Sequence, residues 1–183
     1  MNFSQVKLVV TDMDGTLLNS KNEVSPRFFE IYEELKKRNI HFVAASGRQL
    51  FSIKEKLSPI KDEIYVIAEN GGITLKAEEV LNTYTLPLNE VQEIIKTIRE
   101  IDQAEMVICG KKRAYIESKD QDFIDFFKEF YVEYTQVDDL LEVEDDDFFK
   151  IAVYHPTDAE KHIYPSAQNF EHKFKVKVSG EHW

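Results

Sequence analysis

Val9-Val10-Thr11-Asp12-Met13-Asp14-Gly15-Thr16-Leu17-Leu18 is the stretch whose reading decides the fold. It begins inside a short apolar run, Lys7 to Thr11, which stops at a carboxylate and is followed by Gly15. A run this short, closed by turn residues, reads as a buried strand. Asp12 and Asp14 then project near its carboxyl end. One such carboxylate can attack phosphorus while the other manages protons. A hard divalent cation can bind the same carboxylate and neighbouring oxygens. Gly15 allows the sharp departure from the strand, and Thr16 can hydrogen-bond within the turn. An isolated D-x-D-G would read first as a turn after a strand, so the longer match carries the weight.

Strand and helix alternate outward from this stretch. Ser25 suits a helix N-cap and Pro26 the first helical position, with Phe28, Ile31, Tyr32 and Leu35 on one face. Lys36, Lys37 and Arg38 favour the negative end of that helix, and Asn39 can close it. Ile40 to Ala45 is a second strand running into Ser46-Gly47-Arg48. A helical stretch from Gln49 to Leu57 ends near Pro59, and Ile64 to Ala68 is a third strand leading into Glu69-Asn70-Gly71-Gly72. This is the pattern of an α/β fold, a parallel sheet wrapped by helices. Ligands bind at the carboxyl ends of strands in such sheets.

The rhythm changes after Gly72. Ile73 to Leu75 and Val80 to Tyr84 read as a hairpin. Asn89 is expected to cap a helix with Val91, Ile94, Ile95, Ile98 and Ile101 inward. Glu105 to Cys109 and Ala114 to Glu117 read as strands around a Gly110-Lys111-Lys112 turn, Asp120 to Tyr131 as a helix, and Phe149 to Tyr154 as a strand. Thr157 with Glu160 resembles a capping box, Pro165 should end that helix, and Phe174 to Val178 alternates as a last strand. This half is expected to be an α+β unit with a mostly antiparallel sheet. The boundary is placed at Thr83 to Pro87, giving residues 1–83 and 84–183.

The totals are those of an ordinary globular protein: 183 residues, 43% hydrophobic, with 13 Phe and 8 Tyr for a core. A net charge of −11 offers no basic footprint for nucleic acid. Cys109 is the single cysteine, so no intramolecular disulfide forms. No run is long enough to cross a bilayer and no signal-like segment opens the chain, so a soluble cytoplasmic protein without membrane association is expected. Glu142 to Asp147 holds five carboxylates in six positions and reads as a solvated loop. Lys111, Lys112 and Arg113 read as an exposed basic turn.

Asp12 to Leu18, after its hydrophobic strand, resembles the first signature of the haloacid-dehalogenase (HAD) superfamily of phosphohydrolases. Ala44-Ala45-Ser46-Gly47-Arg48 is similar to the second, a Ser or Thr at the end of the next strand. Glu69-Asn70-Gly71-Gly72 resembles the Asn-Gly loop of the Cof-like branch, which carries a large α/β cap after that loop. The resemblance implies a partial Rossmann-like core over residues 1–83 and a cap of the C2 type over 84–183. It implies that Asp12 attacks the phosphoryl group to give an aspartyl-phosphate. Asp14 would protonate the leaving alcohol and later activate water. Mg²⁺ would be held by the Asp12 side chain and the Asp14 backbone carbonyl. Ser46 and the Gly47 N–H would donate to the phosphate. Arg48 is either a substrate contact or a surface residue, and Asn70 either lines the site or builds a tight turn. Aspartate at position 14 favours a phosphatase or phosphomutase over a dehalogenase. The implied substrate is a small phosphorylated metabolite such as a sugar phosphate.

The family's third motif, with its lysine, and its acidic fourth motif follow the cap, and neither is found in these residues. The expectation is therefore a truncated form, with catalysis in doubt and a non-catalytic remnant that binds phosphate or a partner as the alternative. A receiver-like domain fits less well, given the D-x-D-G-T-L-L string. Without the strands that follow the cap, Leu8 to Thr11 should lie at an open sheet edge, a liability that a homo-oligomer would cover.

Overall fold

A computed structural model describes residues 5–183 of the chain. The chain forms two compact units. One comprises residues 5–84 with Phe130–Val132, and the other Thr85–Glu129 with Glu133–Trp183.

The first unit is a five-stranded mixed sheet. Strands β1 (Leu8–Thr11), β2 (His41–Ala45) and β3 (Tyr65–Ala68) run parallel, and β4 (Ile73–Lys76) and β5 (Glu79–Thr83) continue antiparallel, in the order β1-β2-β3-β4-β5. The expected hairpin thus extends the parallel sheet. Helix α1 (Pro26–Lys37) begins as its sequence indicates, with the Ser25 hydroxyl accepting from the Arg27 N–H, and Asn39 closes it at φ 53°. Tyr32 and Phe28 lie on Phe42 of β2, with ring centroids 6.2 and 5.0 Å apart. Helix α2 (Leu50–Lys56) lies against β3 and buries Leu50 and Ile53.

β1 is an edge strand, as expected. Leu8 and Val10 are 52% and 54% exposed, whereas Phe42 and Val43 beside them on β2 are buried.

The second unit holds a four-stranded sheet, β8-β7-β6-β9. Strands β6 (Glu105–Gly110), β7 (Ala114–Ile116) and β9 (Phe148–Tyr154) pair antiparallel, and β8 (Tyr134–Gln136) joins β7 in parallel. Helix α3 (Leu88–Ile98) packs Val91, Ile95 and Ile98 into a core with Met106, Ile108, Tyr115, Leu140 and Phe148. Helix α4 (Gln121–Phe127) is capped by Asp120, whose carboxylate accepts from the Asp122 and Phe123 N–H groups.

Several sequence expectations are corrected here. Asn89 does not cap α3; the helix starts at Leu88 after Pro87, whose fixed φ sets the entry. The helix from Asp120 stops at Phe127, before Tyr131. β8 was not expected, being only three residues long. Asp158 rather than Thr157 caps α5 (Ala159–His162), accepting from the Lys161 N–H, because Thr157 turns its hydroxyl to the His155 ring. Pro165 lies in the first turn of α6 (Tyr164–Ala167) instead of merely ending its predecessor. Phe174 to Val178 alternates in sequence but joins no strand ladder. Among the described residues, no helix is long and apolar enough to cross a membrane.

Candidate active site

The three parallel strands bring their carboxyl ends to one edge of the first sheet, and each is followed by a loop with chemical groups. Asp12 follows β1. Its Oδ1 accepts from the Met13 N–H at 2.7 Å, which fixes the carboxylate at the start of an irregular five-residue turn. The turn closes when the Leu18 N–H donates to the Met13 carbonyl at 2.8 Å. Gly15 sits at φ 67° within it, in the left-handed region that a side chain disfavours. Asp12 and Asp14 are both solvent-exposed, and Met13 between them is fully buried, anchoring the turn.

Ser46, Gly47 and Arg48 follow β2. The Ser46 hydroxyl accepts from the Arg48 N–H at 3.1 Å, a local turn that sets the start of α2. Arg48 then reaches back to the first loop. Its Nε donates to both Asp14 carboxylate oxygens at 2.9 and 3.0 Å, and its Nη2 donates to Asp14 Oδ1 at 2.6 Å. Nη2 also donates to Asn22 Oδ1 at 3.2 Å. The Arg48 side chain is only 4% exposed, so it is not the surface residue that sequence allowed. The Phe130 ring covers its guanidinium, with the carbon centre 5.8 Å from the ring centroid.

The loop after β3 locks onto the loop after β2. The Ser46 N–H donates to Ile67 O at 2.9 Å, the Glu69 N–H to Arg48 O at 3.1 Å, and the Asn70 N–H to Ser46 O at 3.3 Å. Glu69, Asn70 and Gly71 all have positive φ, at 53°, 57° and 95°. Asn70 does form a tight turn, and its side chain also lies against Gly47. A Cβ at Gly47 would stand 2.5 Å from Asn70 Oδ1, so a side chain there would push the Asn70 carboxamide aside.

The structure thus brings Asp14, Ser46, Gly47, Arg48 and Asn70 into one connected loop cluster, with Asp12 two residues from Asp14. Sequence reading missed Asn22, which supports Arg48 from a backbone position at φ 58°, and the buried Gln49 that follows Arg48. The Gln49 amide accepts from the Val132 N–H at 3.0 Å. Only three-dimensional contact marks these residues, since none belongs to a recognisable spacing. The oxygens here that could hold a hard cation are Asp12 Oδ2 and, with the Asp14 carboxylate engaged by Arg48, the Asp14 main-chain carbonyl. No group of three or more His, Cys, Asp or Glu side chains arranged for a metal occurs among the described residues.

Residues 9–183 match the family described as haloacid dehalogenase-like hydrolases. The chain belongs to that family. It is 30% identical over 150 residues to the 5-amino-6-(5-phospho-D-ribitylamino)uracil phosphatase YbjI of Escherichia coli (strain K12), covering 81% of this chain and 55% of the relative. It is 32% identical over 94 residues to a phosphoglycolate phosphatase of Methanopyrus kandleri, covering 51% of this chain and 40% of the relative. The fold of a haloacid dehalogenase-like hydrolase from Bacteroides thetaiotaomicron matches with a TM-score of 0.82 at 22% identity, over 97% of this chain and 69% of that one. The TM0651 protein of Thermotoga maritima matches with a TM-score of 0.80 at 25% identity, over 97% and 67%. The chain therefore spans about half the length of the curated HAD relatives it matches.

Proposed function

We propose that this HAD chain carries the nucleophile, the acid–base group and the phosphate loop of a Mg²⁺-dependent phosphatase that hydrolyses small phosphate monoesters. The observation that carries the reading is the Arg48–Asp14 ion pair across 34 positions, which ties the loop of Ser46 and Gly47 to that of Asp12 and Asp14.

Asp12 Oδ2 attacks phosphorus while Oδ1 keeps its bond to Met13. Asp14, having taken up a proton from solvent, gives it to the leaving oxygen as the bond from phosphorus to that oxygen breaks. The Ser46 hydroxyl and Gly47 N–H donate to phosphoryl oxygens, offsetting charge as it is redistributed. Water then attacks the phosphorus of the aspartyl-phosphate and Asp14 takes its proton. Inorganic phosphate leaves and Asp12 is regenerated. The Asp12 carboxylate and Asp14 carbonyl would hold Mg²⁺, whose bound charge stabilises the transferring group.

The unit of Thr85–Glu129 and Glu133–Trp183 is the cap in this reading, and it selects the leaving group. The basic turn plays no part in that proposal, because Lys111 and Lys112 are paired with Asp147 and Asp145 at 3.5 and 2.8 Å. The E. coli relative's name points to a phosphorylated sugar alcohol as the substrate class.

Hydrolysis of p-nitrophenyl phosphate by the purified chain, with and without Mg²⁺, tests the proposal beside Asp12→Asn. Mg²⁺-dependent turnover lost in the variant supports it. No turnover, or equal turnover in both proteins, would sink it and favour a form that binds phosphate without turnover.

A further inference from the structure

We propose that Arg48 is a positioning residue that acts through Asp14 and does not contact substrate; the inference rests on the phosphatase reading above. Two nitrogens of one guanidinium grip the Asp14 carboxylate, a geometry that fixes direction as well as charge. Exposure divides the pair sharply. The Arg48 side chain is 4% exposed and the Asp14 side chain 53% exposed, so a ligand arriving from solvent meets the carboxylate and not the guanidinium. Arg48 Nη1 is buried with no hydrogen-bond partner, and the Phe130 ring covers the guanidinium. Leaving a buried donor unsatisfied is costly, and the strong Asp14 contacts on Nε and Nη2 offset that cost. Asn22 holds the same nitrogen that bonds Asp14, so the arginine is restrained from both sides.

The consequence lies in leaving-group protonation. A misdirected Asp14 matters most where the leaving oxygen is a poor leaving group that must be protonated, and least where it departs unaided. Arg48→Met and Arg48→Lys are compared with the unaltered chain on an alkyl phosphate (glycerol 1-phosphate) and an aryl phosphate (p-nitrophenyl phosphate). The proposal expects kcat for Arg48→Met to fall about ten-fold or more further on the alkyl than on the aryl ester, with KM little changed. Arg48→Lys, which keeps the charge but loses the fork, should fall between. Equal losses on both esters would indicate a merely structural role and overturn it. A rise in KM at unchanged kcat would indicate direct substrate contact and also overturn it. The Arg48 Nε–H resonance, followed by NMR in the same chain, judges the pair without turnover. Protection from solvent exchange that is lost in Asp14→Ala supports the grip, and no protection overturns it. If neither ester is hydrolysed while the resonance is protected, the phosphatase reading fails and the pair stands.

Discussion

The closeness of Gly47 and Asn70 shows how little space the loop after β2 leaves. Gly47→Ala puts a Cβ 2.5 Å from Asn70 Oδ1, so the carboxamide must move and the loop after β3 is disturbed. Because the obstacle is a side-chain end, the cost should be moderate and reversible. Asn70→Ala added to Gly47→Ala should recover stability, with a coupling of about 0.5–3 kcal/mol in a urea double-mutant cycle. Additive losses would mean that the clash is not felt. His155 is a second informative residue. It is buried, its Nδ1 accepts from the Thr157 N–H at 3.3 Å, and its ring stacks on His162 at 4.2 Å. Burial first, and His162 second, hold its pKa below the ordinary 6.5, against the opposing pull of Asp102 and Asp158. The neutral ring is favoured in the folded state, so its contribution is fully present above about pH 6.5. It is lost as pH falls from there towards the folded pKa, where the unfolded chain takes up a proton first. The urea midpoint should drop between pH 7.5 and 5.5, and the drop should shrink in His155→Gln.

At the scale of elements, the apolar stripes were legible and the short caps were not. Val91, Ile95 and Ile98 recur at helical spacing and enter the core. Ile95 is fully buried, and Ile95→Ala should cost about 2–5 kcal/mol by chemical denaturation. A smaller loss would mean that the α3 core collapses to fill the gap. The Thr157 capping box failed because Asp158 competes for the same turn and a hydroxyl has other partners, here His155. Phe174 to Val178 had the alternation of a strand but pairs with none of the sheet strands. Period alone cannot supply that partner.

Across the whole molecule, the most exposed consequence of the topology is β1 at its sheet edge. Leu8 and Val10 present exposed apolar side chains on a strand that, among the described residues, pairs on one side only, the arrangement that templates pairing with another strand. Association of copies through this edge is our proposal for how it is covered. Sedimentation velocity should show a concentration-dependent dimer that Val10→Lys reduces, since a charge on an edge strand opposes pairing. Equal dimer in both proteins would place the interface elsewhere. Charge tells a different story in the second unit. The acidic run and the basic turn, each of which looked solvated on its own, neutralise one another through Lys111–Asp147 and Lys112–Asp145.

The sequence by itself determined the α/β class, the HAD family and the loops that hold Asp12, Asp14, Ser46, Gly47, Arg48 and Asn70. Those follow from local facts: apolar runs of strand length, the turn chemistry that ends them, and signature spacings that survive without coordinates. Only the tertiary structure decided what these residues do to one another. Arg48 is not at the surface; it is sheltered by Phe130 and bound to Asp14 and Asn22, 34 and 26 positions away. The identity of those partners depends on which strand ends the parallel sheet sets side by side. That is a property of chain packing, to which no local pattern is sensitive.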